Sequence, residues 1–524
     1  MSEPLRHVAA DSVIAGWDFS TSSVKCLAFD IHGKKLADVR LPTDLWTKGG
    51  VSELSLLQLE GQARASVRAM TPLLRDLGLL NMWVAGGISA THHTSGRIDA
   101  NNVQVRRAIC WNDQSLAKYH AIGLERLGGQ KKVRELIGGP WAIRYGLTHL
   151  VKDELKLKEK EWRRTALVLP HGSLAAGFLT GNFKVCSVSS AASTGIMDLR
   201  TGKWRREMLG ALASEELQEL AWKQLPKIVD HFEPVGQLTE SLALEAGIES
   251  AHRPWIFPTS DDQQAGLVGG GAVDAGQMAI ILGSSAVVNS SSHKPPATDD
   301  LDAMRLNWDP YLWMRCYTNG AQFLNKVVGR EPDWAKLEAL ARDVPAGCDD
   351  VMVLPFVYSE PSLGVMTKRF RWLPRTPPGP PWRRGGNGGS GVRARAALEA
   401  LAYMIALGVW QHREAGQKID RITVSGGIAK NALMCEILAT VLGHELYLLE
   451  SDEGPALGAA VTALAALESH LRRQHGDTKP YKVADAVAQM VKFQKKPVQP
   501  NPAWRAAYKK GLERFVKLIR GKKK

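Results

Sequence analysis

Two short runs of small polar residues have the composition of phosphate-binding turns. They are Asp18–Ser23, which follows an apolar run and precedes Lys25, and Gly283–Ser285. Backbone N–H groups and hydroxyls in such turns can point at phosphate oxygens, and Asp18 can hold a cation or its waters. Taken alone, such a run is more often an ordinary hairpin turn with side-chain hydrogen bonds. Two of them, in two α/β halves, could grip a triphosphate from both sides.

Other polar and aromatic residues follow predicted strands. His92 and His93 are adjacent in a loop, where paired histidines are usually surface residues; a zinc site would need further ligands at suitable spacing, which we do not find. Trp111 suits either the core or a wall on which a sugar stacks. Gly426-Gly427 lies between a strand and a helix, so it predicts either a close backbone approach to an adenosine or a plain helix-entry turn.

The elements that position these residues alternate along the chain. Three strands near Val13–Trp17, Val24–Phe29 and Lys35–Leu41 form a meander, and Ser52–Leu77 has the apolar spacing of a long helix. From about Ala265 the outline begins again, with a hairpin at Gln277–Val288 followed by helices and strands. We therefore predict an α/β protein with a weak internal duplication.

The Pro/Gly-rich stretch 373–391 cannot form regular structure and predicts a loop inside the second half. The predicted domains are residues 13–270 and 271–520. A length of 524 residues supports two large cores.

The composition is that of a globular protein, with 44% hydrophobic and 23% charged residues. We find no apolar run long enough for a membrane span and no secretory signal in the first residues. Six scattered cysteines without CxxC spacing favour reduced thiols and hence the cytoplasm. The net charge of +14 could indicate a nucleic-acid binder, but we interpret its basic runs as solvated surface. These runs are Lys152–Arg164, Lys368–Arg384 and Lys509–Lys524.

From Gly16 to about Gly521 the sequence resembles the FGGY carbohydrate kinases of the actin-like ATPase superfamily. The matching motifs occur in the family's order. They are residues 16–25, residues 108–113 with the Trp-Asn-Asp form of xylulokinases, residues 262–266, residues 281–285, residues 425–431, residues 453–460 and the tail at 502–508.

The resemblance implies two ribonuclease-H-like (actin-like ATPase) domains around a central cleft, with ATP and Mg²⁺ as cofactors. Asp262 would be the base that takes the proton of the sugar hydroxyl, and it opens an apparent helix whose dipole would favour its ionised form. Asp262 could instead be a simple N-cap, a role that Asp261 could also fill. Asp18 would organise the metal. The substrate-binding residues would be His92, His93, Trp111, Asp113 and Gln263. The nucleotide-binding residues would be Ser20, Thr21, Ser22, Lys25, Gly283, Ser284, Ser285, Gly426, Gly427 and Asn431.

D-xylulose is the substrate that these motifs favour. Another pentulose, a heptulose or a polyol is the alternative, and a non-catalytic sugar sensor is a second one. The expected partners are the sugar and ATP, without membrane or nucleic acid, and a homodimer is compatible with them.

Three segments depart from the family pattern. Ser20 stands where the family usually has glycine, so backbone approach to the phosphates would be altered. Gly138–Glu154 lacks the usual Lys and Trp, whose places Gly146 and His149 take. Pro355–Pro361 begins like a family loop and then diverges.

Overall fold

The structure, a computed structural model, describes residues 3–258, 260–374, 387–451 and 453–520. Its strands and helices are numbered in chain order. No helix in this part of the chain is long and apolar enough to cross a membrane.

The first main sheet is built on an antiparallel meander of Val13–Phe19 (β1), Ser23–Asp30 (β2) and Lys35–Pro42 (β3). Trp83–Ala90 (β6) lies parallel to β1, and Trp255–Ile256 (β15) lies parallel to β6. Every residue of β1 is buried, as expected for a central strand covered on both faces. Gly236–Gln237 (β14) and Ser260–Asp261 (β16) complete the sheet.

The second main sheet repeats this plan. Gln277–Leu282 (β17), Ala286–Ser292 (β18) and Tyr311–Tyr317 (β20) form an antiparallel meander. Arg421–Ser425 (β23) lies parallel to β17, and Leu446–Leu448 (β24) lies parallel to β23. Asp302–Arg305 (β19) is added beside β20. The shared topology confirms the predicted internal duplication.

Smaller sheets contain the other strands: Trp46–Lys48 (β4), Val51–Leu54 (β5), Ser95–Ile98 (β7), Gln104–Ile109 (β8), Leu167–Pro170 (β9), Val185–Ser187 (β10), Met197–Asp198 (β11), Lys203–Trp204 (β12), Lys227–Val229 (β13), Met352–Phe356 (β21) and Arg369–Leu373 (β22).

The α-helices are Leu56–Asp76 (α1), Leu116–Arg126 (α2), Gln130–Ile137 (α3), Gly146–Lys156 (α4), Glu159–Arg164 (α5), His171–Thr180 (α6), Val188–Ala192 (α7), Glu215–Lys223 (α8), Glu240–Ala246 (α9), Asp262–Gly269 (α10), Ala321–Val328 (α11), Trp334–Arg342 (α12), Asn387–Glu414 (α13), Ala432–Leu442 (α14), Gly454–Gln474 (α15), Val483–Met490 (α16) and Arg505–Arg520 (α17).

Two predicted boundaries are wrong. The helix expected from Ser52 begins only at Leu56, because Val51–Leu54 pairs as a strand and the Ser55 side chain caps the helix at the N–H of Gln58. The loop expected at 373–391 is too long at both ends, since Leu373 ends β22 and Asn387 begins α13. Residues 375–386 of that loop lie outside the described residues.

Helices α10 and α15 pack closely against each other and hold the centre of the molecule together. A Cβ atom at Gly458 of α15 would overlap the carbonyl oxygen of Ala265 in α10. Helix α15 also lies against the first sheet, where a Cβ at Gly16 of β1 would overlap the carbonyl oxygen of Ala456. These glycines therefore permit backbone contact between the two halves of the chain.

Candidate active site

The first predicted phosphate turn joins β1 to β2. Asp18 and Lys25 face each other across this hairpin as register partners. The Ser20 hydroxyl donates to the carbonyl of Ser23 at 2.8 Å and accepts from the Ser23 N–H at 3.2 Å, so it fastens the turn from inside. Ser20 does not have a positive φ, and this turn accordingly does not require glycine at that position.

Lys25 is engaged with a residue from the second half of the chain. Its ammonium group donates to Glu453 at 3.0 Å, and Arg40 pairs with the other oxygen of the same carboxylate. Glu453 is buried and directly precedes α15. It stands in a stretch that the sequence assigns to the nucleotide side, yet sequence reasoning gives it no role.

The second predicted turn, Gly283–Ser285, joins β17 to β18. The Gly283 N–H donates to the carbonyl of Ser285 at 3.0 Å, and Ser284 at the tip is exposed. Gly426, with φ +94°, follows the parallel strand β23, and a Cβ there would touch the carbonyl oxygen of Leu282. Nothing lies within 4 Å of a Cβ at Gly427. The structure thus brings the predicted second turn and the Gly-Gly pair together beside open space.

Asn431 caps α14. Its side-chain oxygen accepts from the N–H of Met434 at 2.8 Å. The side-chain nitrogen is buried and has no hydrogen-bond partner among the described residues. That N–H₂ group remains available for a ligand.

Asp262 is the first residue of α10, as the sequence predicts, and Asp261 is the cap of this helix. Asp261 accepts from the N–H groups of Gln263 and Gln264 at 3.0 and 2.9 Å and from the Ser189 hydroxyl at 2.6 Å. The Asp262 carboxylate accepts from the Gln263 side chain at 3.1 Å and from the backbone of His92. The N-cap alternative for Asp262 therefore does not hold, because Asp261 makes the capping hydrogen bonds.

Burial, Asp261 and Asp18 raise the pKa of Asp262 to about 8. Burial also raises the pKa of Asp18 to about 6, against the opposing effects of Lys25 and the Ser89 hydroxyl. Asp18 is therefore close enough to Asp262 to disfavour its ionised form. A divalent cation bound at Asp18 fits this excess of buried negative charge.

The two turns lie around Asp262. On one side the charge of Asp18 raises the pKa of Asp262; on the other side the charge of Asp262 raises the pKa of Cys316, whose thiol hydrogen-bonds to Ser285. Gln263 accepts a hydrogen bond from Asn289 of β18 at 3.2 Å. Asp262 consequently lies between the first turn and the strand that leaves the second.

His92 and His93 stack on each other at 3.5 Å between ring centroids, and His93 stacks on Tyr145 at 4.3 Å. His92 is buried, and Nδ1 lies 3.8 Å from Asp261. Neither ring nitrogen of His92 has a hydrogen-bond partner among the described residues, nor has Nε2 of His93. Burial lowers the pKa of His92 to about 4, so the ring is neutral. Such rings can exchange hydrogen bonds with sugar hydroxyls.

His92 also groups with Asp261 and Asp262, whose possible ligand atoms lie within 4.8 Å of one another. Asp261 already serves the helix cap and Ser189. This group consists of residues that the sequence predicts for the sugar and the base, together with the helix cap, and we do not assign it as a separate metal site.

Asp113 is buried and has internal partners. Lys152 of α4 donates to one carboxylate oxygen at 2.7 Å, and the Ser115 N–H donates to the other at 2.8 Å. Within the described part of the chain, no hydrogen bond joins Asp113 to His92 or Asp262. Trp111 lies in the turn just after β8, half-buried. Lys152 belongs to a run that we interpret from the sequence as solvated surface, and for this residue the interpretation is wrong.

Comparison with known proteins identifies the chain. The N-terminal and C-terminal domains of the FGGY family of carbohydrate kinases match residues 13–269 and 278–467. The chain belongs to this family. It is an enzyme that transfers a phosphoryl group from ATP to a sugar, as the resemblance implies. The domain limits 13–270 and 271–520 stay a prediction.

The relatives include the xylulose kinase of Haemophilus influenzae, 26% identical over 72% of this chain and 75% of that protein. The xylulose kinase of Escherichia coli K12 is 26% identical over 86% and 89%. Among solved structures, a ligand-bound xylulose kinase from Lactobacillus acidophilus matches with a TM-score of 0.82 at 18% identity, over 97% of this chain and 98% of that one. This match confirms the predicted two-domain, actin-like fold.

Proposed function

We propose that this carbohydrate kinase phosphorylates a ketose, D-xylulose, with Asp262 as the general base. The observation that carries the proposal is the Asp262 carboxylate itself, which lies at the start of α10 beside His92 and close to Asp18 and does not cap the helix. The choice of sugar is supported by the xylulose kinases among the relatives.

In this proposal the sugar lies on the first half of the chain. The unpartnered nitrogens of His92 and His93 and the amide of Gln263 bind its hydroxyls. Trp111 and Asp113 line the same side, and Asp113 acts mainly by holding Lys152 in place. The reacting hydroxyl then points at Asp262.

The nucleotide lies between the two turns. Ser20, Thr21 and Ser22 with Lys25 hold phosphate oxygens from one side, and Gly283, Ser284 and Ser285 hold them from the other. Lys25 contacts the phosphates while it also forms an ion pair with Glu453. Gly426, Gly427 and Asn431 contact the adenosine.

Asp18 would hold Mg²⁺ directly or through water. The bound ion neutralises phosphate charge, which is the main requirement of a loose phosphoryl-transfer transition state. Asp262 must be ionised to accept a proton. The N-terminus of α10 and a cation held at Asp18 would favour that form, whereas burial opposes it.

The reaction itself is a single displacement. The sugar oxygen forms a bond to the γ-phosphorus as the bond between that phosphorus and the β,γ-bridging oxygen breaks, and ADP leaves. The hydroxyl proton passes to Asp262. Loss of such a base costs about 10²- to 10⁴-fold in rate.

The test is an ADP-release assay with D-xylulose, other ketoses, glycerol and gluconate. A glycerol kinase and a gluconate kinase are also among the similar proteins, so both substrates belong in the panel. We expect D-xylulose to give the highest kcat/KM and Asp262→Asn to lower kcat by about 10²- to 10⁴-fold. Asp420→Asn, a surface change beside Lys418, is the control.

No sugar-stimulated ADP release by the wild type, with sugar binding intact, would favour a sensor. A higher kcat/KM with another substrate of the panel would make that compound the substrate in place of D-xylulose.

We further propose that the enzyme works in the cytoplasm, because its six cysteines are unpaired and five are buried.

A further inference from the structure

A large cavity lies behind the segment that carries Asp261. Its volume is about 740 Å³, within the range of small-molecule sites. Most of its wall comes from residues 228–232 at the end of β13, residues 305–309 at the end of β19 and residues near the start of α16, and residues 200–202 and Asp274 also line it. None of the residues assigned above to sugar, nucleotide or metal lines it.

His231 is the polar group in this wall that lacks a partner. Its side chain is only 3% exposed, and neither ring nitrogen has a hydrogen-bond partner among the described residues. Burial lowers the pKa of His231 to about 4, so the ring carries one N–H donor and one acceptor at neutral pH. A buried polar group without a partner is unfavourable, and a ligand in the cavity is one way to supply the missing bonds.

Basic and acidic residues line the cavity in equal numbers. Arg305 pairs with Asp309 and also donates to the carbonyl of Leu199 at 2.8 Å, so it offers little free charge. The set of charged wall residues comprises Arg200, Arg305 and Lys482 against Asp230, Asp274 and Asp309. Such a set gives no net preference for an anion or a cation.

Two aromatic residues complete the lining. Phe232 lies next to His231, with 4.6 Å between ring centroids, and Trp308 lies on another wall. Aromatic faces bind the apolar faces of sugar rings, while carboxylates, ammonium groups and neutral imidazoles bind hydroxyls.

We infer that this cavity binds a neutral carbohydrate at a site separate from the sugar that is phosphorylated. The site also has a short connection to the catalytic helix. Asn307 in the wall accepts from the N–H of Ser189 at 2.8 Å, and the Ser189 hydroxyl donates to Asp261 at 2.6 Å. A bound carbohydrate would thus lie near the residue that caps α10.

The test measures sugar binding by the full-length chain in the absence of ATP. D-xylulose, D-xylose, D-glucose and glycerol are titrated by calorimetry against the wild type and two variants. Gln263→Ala perturbs the cleft, and the double variant Asp274→Asn with Lys482→Met perturbs the cavity at two exposed positions. Asp420→Asn is again the control.

We expect one of these sugars to bind in a mode that Gln263→Ala leaves unchanged and the double variant weakens about tenfold or more. The inference is overturned if every binding event is lost in Gln263→Ala, if the double variant binds like the wild type, or if no sugar binds outside the cleft. Because binding is measured without turnover, failure of the kinase proposal would leave this result intact.

Discussion

At the scale of single residues, the group that we propose as the catalytic base lowers the stability of the fold at neutral and higher pH. Asp262 is held at a buried position next to two other carboxylates, and its pKa rises from 3.8 to about 8. The native state therefore binds a proton that the unfolded state releases over most of this range. The contribution of Asp262 to stability is therefore greatest below pH 3.8 and is lost as the pH rises towards 8.

Asp262→Asn removes this titration and keeps the shape of the side chain. We expect the variant to have a higher Tm than the wild type, by about 2 °C or more at pH 8, with a much smaller difference at pH 5. Thermal unfolding of both proteins at pH 5 and pH 8, without nucleotide or metal, measures these Tm differences, and Asp420→Asn is the control. Parallel Tm curves across this pH range would show that Asp262 ionises freely in the native state.

At the scale of elements, local patterns predict most of the cleft. Asp18 at a strand end, the Gly283–Ser285 turn and the helix that opens at Asp262 are visible because alternation, turn residues and helix starts are local signals. The repeated sheet plan follows from the same signals.

Local sequence patterns do not reveal side-chain partners that come from distant parts of the chain. Glu453 reaches Lys25 and Lys152 reaches Asp113 only through tertiary packing. A charged residue in a basic run has no local mark that it is buried. The strand at Val51–Leu54 is missed for a related reason, since its pairing with β8 competes with the apolar spacing of a helix.

The contact between α15 and β1 gives a prediction for the pair of central elements. Gly16→Ala would put a methyl group into the backbone of Ala456, which cannot yield without moving α15. We expect a loss of about 1–3 kcal/mol or more in the free energy of unfolding.

The matched control is Gly61→Ala in α1, where nothing lies within 4 Å of the new Cβ, and which should stabilise the protein by up to about 1 kcal/mol. Urea unfolding of both variants checks the pair. Equal effects of the two substitutions would mean that α15 does not press on β1 in solution.

At the scale of the whole molecule, the two family domains carry matching sheets and meet at α10 and α15. Ion pairs also cross between them near the sugar side. Arg144 pairs with Asp302, and Arg134 pairs with Asp299. Arg144 precedes Tyr145, the residue on which His93 stacks, so the first of these pairs ties the sugar side of one domain to the other. Closure of the two domains is what would exclude water from the phosphoryl group.

Asp302→Asn should therefore weaken sugar binding by favouring the open arrangement. A partly exposed ion pair contributes up to about 1 kcal/mol, which corresponds to a rise of up to about fivefold in the KM for the sugar. Asp299→Asn is the matched control, and its effect should be smaller because Asp299 is 45% exposed whereas Asp302 is 17% exposed. The difference between wild type and Asp302→Asn should also shrink at high salt, since screening weakens the pair in the wild type. Steady-state kinetics at two ionic strengths measure both effects. Equal KM values for the two variants would mean that the Arg144–Asp302 pair does not control domain closure. The packing of α10 against α15 would then be the first alternative to examine.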